Sequence, residues 1–159
     1  MMKLMTTSNK GKNLIKEAEG LRLTAYVCPA GKPTIGWGHT KGVYMGQSIT
    51  QQQAEDLLVE DITPAERLLN GVGVNFRQEQ FDALVSWIFN LGEGNFRNST
   101  MLKRIFERAS DEAITDELVK WIYANKKALP GLMKRRVKEA NMFLGYERYK
   151  VINGKIAKV

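Results

Sequence analysis

The chain has 159 residues, 43% of them hydrophobic and 26% charged, with a formal net charge of +7. A chain this long buries roughly 70% of the surface its unfolded form exposes, so one domain over 1–159 needs no disulfide or metal to hold it. One Cys and one His exclude both an internal disulfide and a zinc site of Cys and His ligands. No metal or other cofactor is expected, and folding in a reducing cytoplasm is the simplest expectation.

The N-terminus "MMKLMTTSNKGKNLIKEAEG" lacks the apolar core of a secretory signal, and no run approaches a transmembrane span. The positive charge implies attraction to a polyanion, whether nucleic acid, an anionic membrane surface or an anionic polysaccharide. Charge alone does not choose among them.

Ser8, followed by Leu14, Ile15 and Ala18 and closed by Gly20, predicts a first helix over about 8–19. Residues 21–48 change character: "LRLTAYV" alternates, "PAGKP" is turn chemistry, and "TIGWGHT" is short, β-branched and aromatic. That pattern predicts a small antiparallel sheet of two or three strands.

From Thr50 the period becomes helical. Thr50 and Gln53 form a capping-box pattern, and Ala54, Leu57, Leu58, Ile62 and Ala65 share one face of a long helix over about 50–70, which Pro64 kinks or splits. "FRQEQFDALVSWIFNLG" is too apolar for a surface helix and is the candidate core helix; Phe81, Trp87 and Phe89 belong to its packing. "NSTMLKRIFERA", "SDEAITDELVKWIYAN" and "GLMKRRVKEANMFLG" read as further short helices, with Trp121 and Tyr123 as packing residues. In the tail over 146–159, Asn153-Gly154 is compatible with a hairpin turn or a frayed end.

The fold class is therefore α+β. A small sheet lobe is joined by a long helix to a mostly helical lobe over about 71–159, with the first helix packed on it and a cleft between the lobes. Glu19 ends the first helix; Cys28 follows on or after the first strand, and Thr34 starts the next. A helix end and two neighbouring strands can bring these three side chains to one spot.

"EAEGLRLTAYVCPAGKPTIGWGHT" resembles the signature of the phage-type lysozymes, the endolysins of glycoside hydrolase family twenty-four. The likeness continues through "SITQQQAEDLLVEDI", "FRQEQFDALVSWIFNLGEGNF", "STMLKRI" and "LPGLMKRRVKEANMFLG", from Leu14 to Gly145. It implies a lysozyme-like fold and hydrolysis of the β-1,4 bond between N-acetylmuramic acid and N-acetylglucosamine in peptidoglycan.

The resemblance assigns Glu19 as general acid. A glycosidic oxygen is a poor leaving group and needs a proton as the bond breaks. The family pattern carries an Asp where this chain has Cys28, so the thiol or its thiolate is expected to activate water or act as nucleophile. The alternative is a small polar filler beside bound water. Thr34 is expected to position the water, with inversion as the preferred outcome.

His39 is expected to be structural, paired with Asp61 on the long helix. Tyr26 and Trp37 are candidate substrate-binding residues, as are Arg135 and Arg136 in the basic run of the last helix, which would pair with Glu19 or contact muramyl peptide carboxylates. The expected partners are the peptidoglycan substrate and a separate holin-type protein, with no nucleic acid and no stable membrane insertion. The protein is expected to be monomeric and to wait in the host cytoplasm until lysis. Two other readings stay open: a lytic transglycosylase, which forms an anhydro-sugar, and a non-catalytic basic protein that binds polyanions or membranes.

Overall fold

The computed structural model describes residues 3–159 and forms two compact units. The smaller is Ile15–Pro64; the larger joins the residues up to Leu14 with Ala65–Val159. The smaller unit is wider than the expected sheet segment because it includes the end of the first helix and most of the second.

Helix α1 (Asn9–Glu19) starts where the Ser8 hydroxyl accepts from the Gly11 amide at 3.4 Å. It stops where the Gly20 amide closes on the Lys16 carbonyl at 2.9 Å, with Gly20 at φ +73°. Strands β1 (Arg22–Val27) and β2 (Pro33–Gly36) pair antiparallel, with Tyr26 opposite Thr34 and Val27 opposite Pro33. A third strand shrinks to a bridge between Thr24 and Ser48, flanked by Ala25 donating to the Gln47 carbonyl and Ile49 to that of Leu23.

Helix α2 (Gln51–Asn70) opens with a reciprocal capping box: the Thr50 amide donates to Gln53 Oε1 at 2.8 Å, and the Gln53 amide to Thr50 Oγ1 at 3.1 Å. It runs unbroken through Pro64, where the sequence admitted a split.

In the larger unit, α3 (Gln78–Leu91) is the core helix; its residues from Gln80 to Ile88 are all buried. Trp87 meets Phe96 and Trp121 edge-on, at centroid distances of 6.1 and 5.1 Å. The short helices α4 (Glu93–Arg97), α5 (Thr100–Phe106) and α6 (Asp111–Leu118) follow, the last two capped by the Ser99 and Ser110 hydroxyls.

Two hairpins accompany the helices, the first of them against expectation. The helix expected to run on to Asn125 stops at Leu118. The chain then turns into a hairpin of β3 (Tyr123–Ala124) and β4 (Lys127–Ala128), with Asn125 and Lys126 both at positive φ. Tyr123, expected to pack, is exposed. After α7 (Pro130–Leu144), the tail forms a second hairpin, β5 (Tyr149–Ile152) and β6 (Lys155–Lys158), turning at Asn153 and Gly154 with φ +51° and +73°. Tyr149 anchors it: its buried hydroxyl donates to Asp116 at 2.6 Å and pairs with Thr115 at 2.8 Å.

Helix α7 packs against α3 and corrects one expectation. Arg136 is fully buried, with Nε 3.1 Å from Glu139 Oε1 and its guanidinium bonded to Asn90. It is a core residue and cannot offer its charge to a substrate carboxylate. Arg135 is also buried, bonded to Glu139 Oε2 and to the Ser86 carbonyl, each at 3.3 Å. Glu139 accepts from the Ser86 hydroxyl at 2.5 Å. Burial raises the Glu139 carboxyl above its ordinary range, against the opposing pull of both guanidinium groups.

Candidate active site

Glu19, Tyr26, Cys28, Thr34, Trp37, His39 and Asp61 all lie in the unit Ile15–Pro64. Arg135 and Arg136 lie in the other.

Cys28 follows β1 at the mouth of a tight turn. Its amide donates to the Lys32 carbonyl at 2.9 Å, and the Gly31 amide returns to the Cys28 carbonyl at 2.8 Å, with Gly31 at φ +82°. Tyr26 lies opposite Thr34 in the register, and Cys28, two residues on, falls on the same face. Tyr26 is half-buried, with the Arg22 guanidinium 4.7 Å from its ring centre.

The partly exposed Cys28 thiol is held below its usual range, chiefly by the neighbouring Thr34 hydroxyl and with help from the Lys32 backbone. The Thr34 hydroxyl also lies 2.9 Å from the Lys32 carbonyl. A hydroxyl has one proton, so Thr34 donates either to that carbonyl or to the sulfur. When it serves the carbonyl, its lone pairs face outward as acceptors.

Glu19 is the last residue of α1, and the turn after β2 reaches it. Ile35 and His39 exchange two backbone hydrogen bonds of 2.9 Å across Gly36, Trp37 and Gly38. Three residues of this turn then touch the flanking helices. Trp37 carries the Lys16 ammonium 4.4 Å from its ring centre, and Lys16 also pairs with Glu55 at 2.6 Å. The open side of Gly38, where a Cβ would stand, faces the Glu19 carboxylate.

His39, 6% exposed, sets Nδ1 2.8 and 3.0 Å from the two Asp61 oxygens and Nε2 2.8 Å from the Lys41 carbonyl. A carbonyl only accepts, so Nε2 carries a proton. A second proton then lies between Nδ1 and Asp61. Burial lifts the Asp61 carboxyl above its ordinary range, more than its bond to His39 lowers it.

One expectation needs correcting here. Trp37 is 6% exposed, so its ring packs within the protein and does not offer an open face for stacking a sugar. Gly38 reads from the sequence as a glycine suited to a tight turn and close backbone approach, with nothing to say which group approaches it. Its signal was the spacing of two glycines around Trp37, but the helix end it touches is distant in the chain. Among the described residues, no group of three or more His, Cys, Asp and Glu side chains is arranged to hold a metal, and no helix is long and apolar enough to cross a membrane.

A helix-ending Glu, a small antiparallel sheet and a mostly helical second unit define the α+β fold of a lysozyme-like glycoside hydrolase. A sequence model of the phage lysozyme family matches residues 16–139, and the chain belongs to that family. It is 43% identical to an endolysin of Acyrthosiphon pisum secondary endosymbiont phage 1, over 87% of this chain and 98% of that one. It is 37% identical to an endolysin of Salmonella phage P22, over 89% and 99%. Against an endolysin of Bacillus phage B103 the identity is 39%, but the match spans only 54% of that longer protein. Among solved structures, an endolysin from Escherichia coli O157:H7 phage FAHEc1 superposes with a TM-score of 0.83 at 35% identity, covering 91% of this chain and 96% of that one. The muramidase domain of SpmX from Asticaccaulis excentricus gives 0.80 at 34% identity, covering 91% and 99%.

Proposed function

We propose that this enzyme is an endolysin hydrolysing the β-1,4 bond between N-acetylmuramic acid and N-acetylglucosamine in peptidoglycan, with Glu19 as general acid. The observation that carries the reading is that Cys28 and Thr34 share one face of the β1–β2 ribbon, in the same compact unit as the helix-ending Glu19. A thiol held below its usual range supplies more thiolate near neutral pH than a free one. That thiolate takes a proton from a water oriented by the Thr34 hydroxyl, while Glu19 protonates the departing glycosidic oxygen. The water oxygen bonds to the anomeric carbon as the glycosidic bond breaks, giving inversion. Tyr26, on the same strand face, lies beside the reacting sugar.

In cells, the reading places the protein in the host cytoplasm until a holin-type protein opens the inner membrane and gives it access to the wall. The net charge of +7 then draws it to anionic wall polymers. The test is turbidity clearing of permeabilised bacteria, with mass and NMR analysis of the products. Glu19→Gln should lose about 1,000-fold and Cys28→Ser about 100-fold, whereas Cys28→Asp should keep much of the activity. A product with one added water and inverted configuration supports the mechanism. Wild-type clearing by Glu19→Gln would remove the acid from the scheme, and a glycosyl adduct on Cys28 would make the thiol a nucleophile.

A further inference from the structure

We propose that Gly38 is a positioning residue for the general acid: its missing side chain is the space in which the Glu19 carboxylate is held. This rests on the reading of Glu19 as the acid. A methyl group placed on Gly38 would sit 2.7 Å from Glu19 Oε1 and 3.3 Å from its carboxyl carbon. The oxygen falls 0.7 Å short of the 3.4 Å at which ordinary contact begins. What would have to yield is the tip of the Glu19 side chain, the part that carries the proton.

The turn is built to keep Gly38 there. The reciprocal Ile35–His39 bonds close the three-residue loop, and each residue after Gly36 is fixed to a helix. Trp37 stacks on Lys16, one helical turn before Glu19. His39 is held by Asp61 on α2. Gly38, between these two anchors, has no freedom to back away from the helix end. A side chain at position 38 would occupy the side of Glu19 that faces the turn, so its absence leaves the carboxyl group the room to reach the glycosidic oxygen that it protonates in this reading. Such pre-set geometry is a large part of what a general acid contributes, and misplacing a reacting group by about 1 Å costs on the order of 100-fold in rate.

Gly36 supplies a matched control. It sits in the same turn at φ +65°, against +80° for Gly38, so alanine strains the backbone at both positions. The atoms nearest a methyl group on Gly36 belong to Ala54 and Ile49, at 3.7 to 3.8 Å. Gly36→Ala therefore reports strain alone, and Gly38→Ala reports strain plus displacement of Glu19.

The experiment compares wild type, Gly36→Ala, Gly38→Ala and Glu19→Gln by thermal melting, by kcat and KM on solubilised peptidoglycan fragments, and by the 13C resonance of the Glu19 carboxyl across pH. Both alanine variants should melt lower than wild type by similar amounts. Gly38→Ala should lose about 100-fold in kcat with KM nearly unchanged, and its Glu19 carboxyl resonance should move. Gly36→Ala should keep kcat within about threefold and leave that resonance in place. Equal kcat losses in the two alanine variants, or an unmoved Glu19 resonance in Gly38→Ala, would overturn the proposal. Should Gly38→Ala fail to fold, Gly38→Ser tested at reduced temperature gives the same resonance readout. Full activity in Glu19→Gln would instead sink the reading of Glu19 as acid, whatever the resonance shows.

Discussion

Replacing His39 by Asn tests whether this imidazole is scaffold or catalyst. In the structure it is 6% exposed and makes two kinds of contact: Nδ1 to both Asp61 oxygens at 2.8 and 3.0 Å, and Nε2 to the Lys41 carbonyl at 2.8 Å. An Asn amide reaches roughly the place of Nδ1, so one donor toward Asp61 survives. A bond to a carboxylate contributes about 1.5–3 kcal/mol, and the less well aimed amide falls from the upper to the lower end of that range, a cost of about 1–1.5 kcal/mol.

The Lys41 bond is lost outright. Lys41 is exposed and its carbonyl recovers water, which limits that loss to about 1 kcal/mol. The sum, about 2–2.5 kcal/mol, lowers Tm by roughly 4–10 °C for a protein of this size. The Ile35–His39 backbone bonds do not involve the ring, so the turn stays closed and kcat at 25 °C should fall less than tenfold. Calorimetry and fragment hydrolysis, run on His39→Asn, Asp61→Asn and the double variant, check both halves. The double variant should cost less than the sum of the singles because the two side chains are in contact. An unchanged Tm with activity lost would refute the scaffold assignment, and strictly additive losses would refute the pair.

Glu139→Gln leaves the buried Arg136 without its counter-charge and should destabilise by about 3–5 kcal/mol, read by denaturant unfolding; a loss under about 1 kcal/mol would mean that the cluster opens to water. Tyr149→Phe removes a donor to Asp116. Burial raises the Asp116 carboxyl, but Tyr149, Lys158 and Arg148 outweigh burial and hold it below its ordinary range, so its contribution is full above the unfolded value near ~3.9 and fades as pH falls through the lower folded one. The variant should therefore lose stability at neutral pH and show a shallower loss on acidification below about pH 4; an identical acid slope in both proteins would refute the coupling. Clearing of whole walls should weaken as salt rises above ~0.1 M, where the screening length is about 10 Å, while hydrolysis of small soluble fragments should change little.

The stretch from Glu17 to Thr40 made the candidate site legible because its chemistry is carried by local pattern. Gly20 ends a helix at positive φ, and the turn "CPAGK" joins two strands. The alternation between them puts Tyr26, Cys28 and Thr34 on one face. Trp37 was harder to place. Its aromatic ring beside reactive residues fits a sugar platform as well as it fits packing, and only the position of Lys16 over the ring and the low exposure decide between them.

Arg136 shows a signal that was present in the sequence and outweighed by its charge. Met133, Arg136, Ala140, Phe143 and Leu144 recur at helical spacing and are all buried, so position 136 lies on the apolar face of α7 whatever residue occupies it. Glu139, three residues beyond it and four beyond Arg135, is the counter-charge that makes this tolerable. A "KRR" run usually marks a solvated face, and the phase of the neighbouring apolar residues was the better guide. The hairpin after α6 is different in kind. "VKWIYAN" keeps helical spacing, but Asn125 and Lys126 both take positive φ, which an α-helix does not allow. Trp121 leaves the helical path and meets Trp87 edge-on. That contact joins residues far apart in the chain, so local helix propensity loses to tertiary packing there. The same holds for Gly38 and Glu19, where nothing in either residue's neighbourhood announces the other, and only the distance between the turn and the helix end turns a common glycine into the wall beside the Glu19 carboxyl.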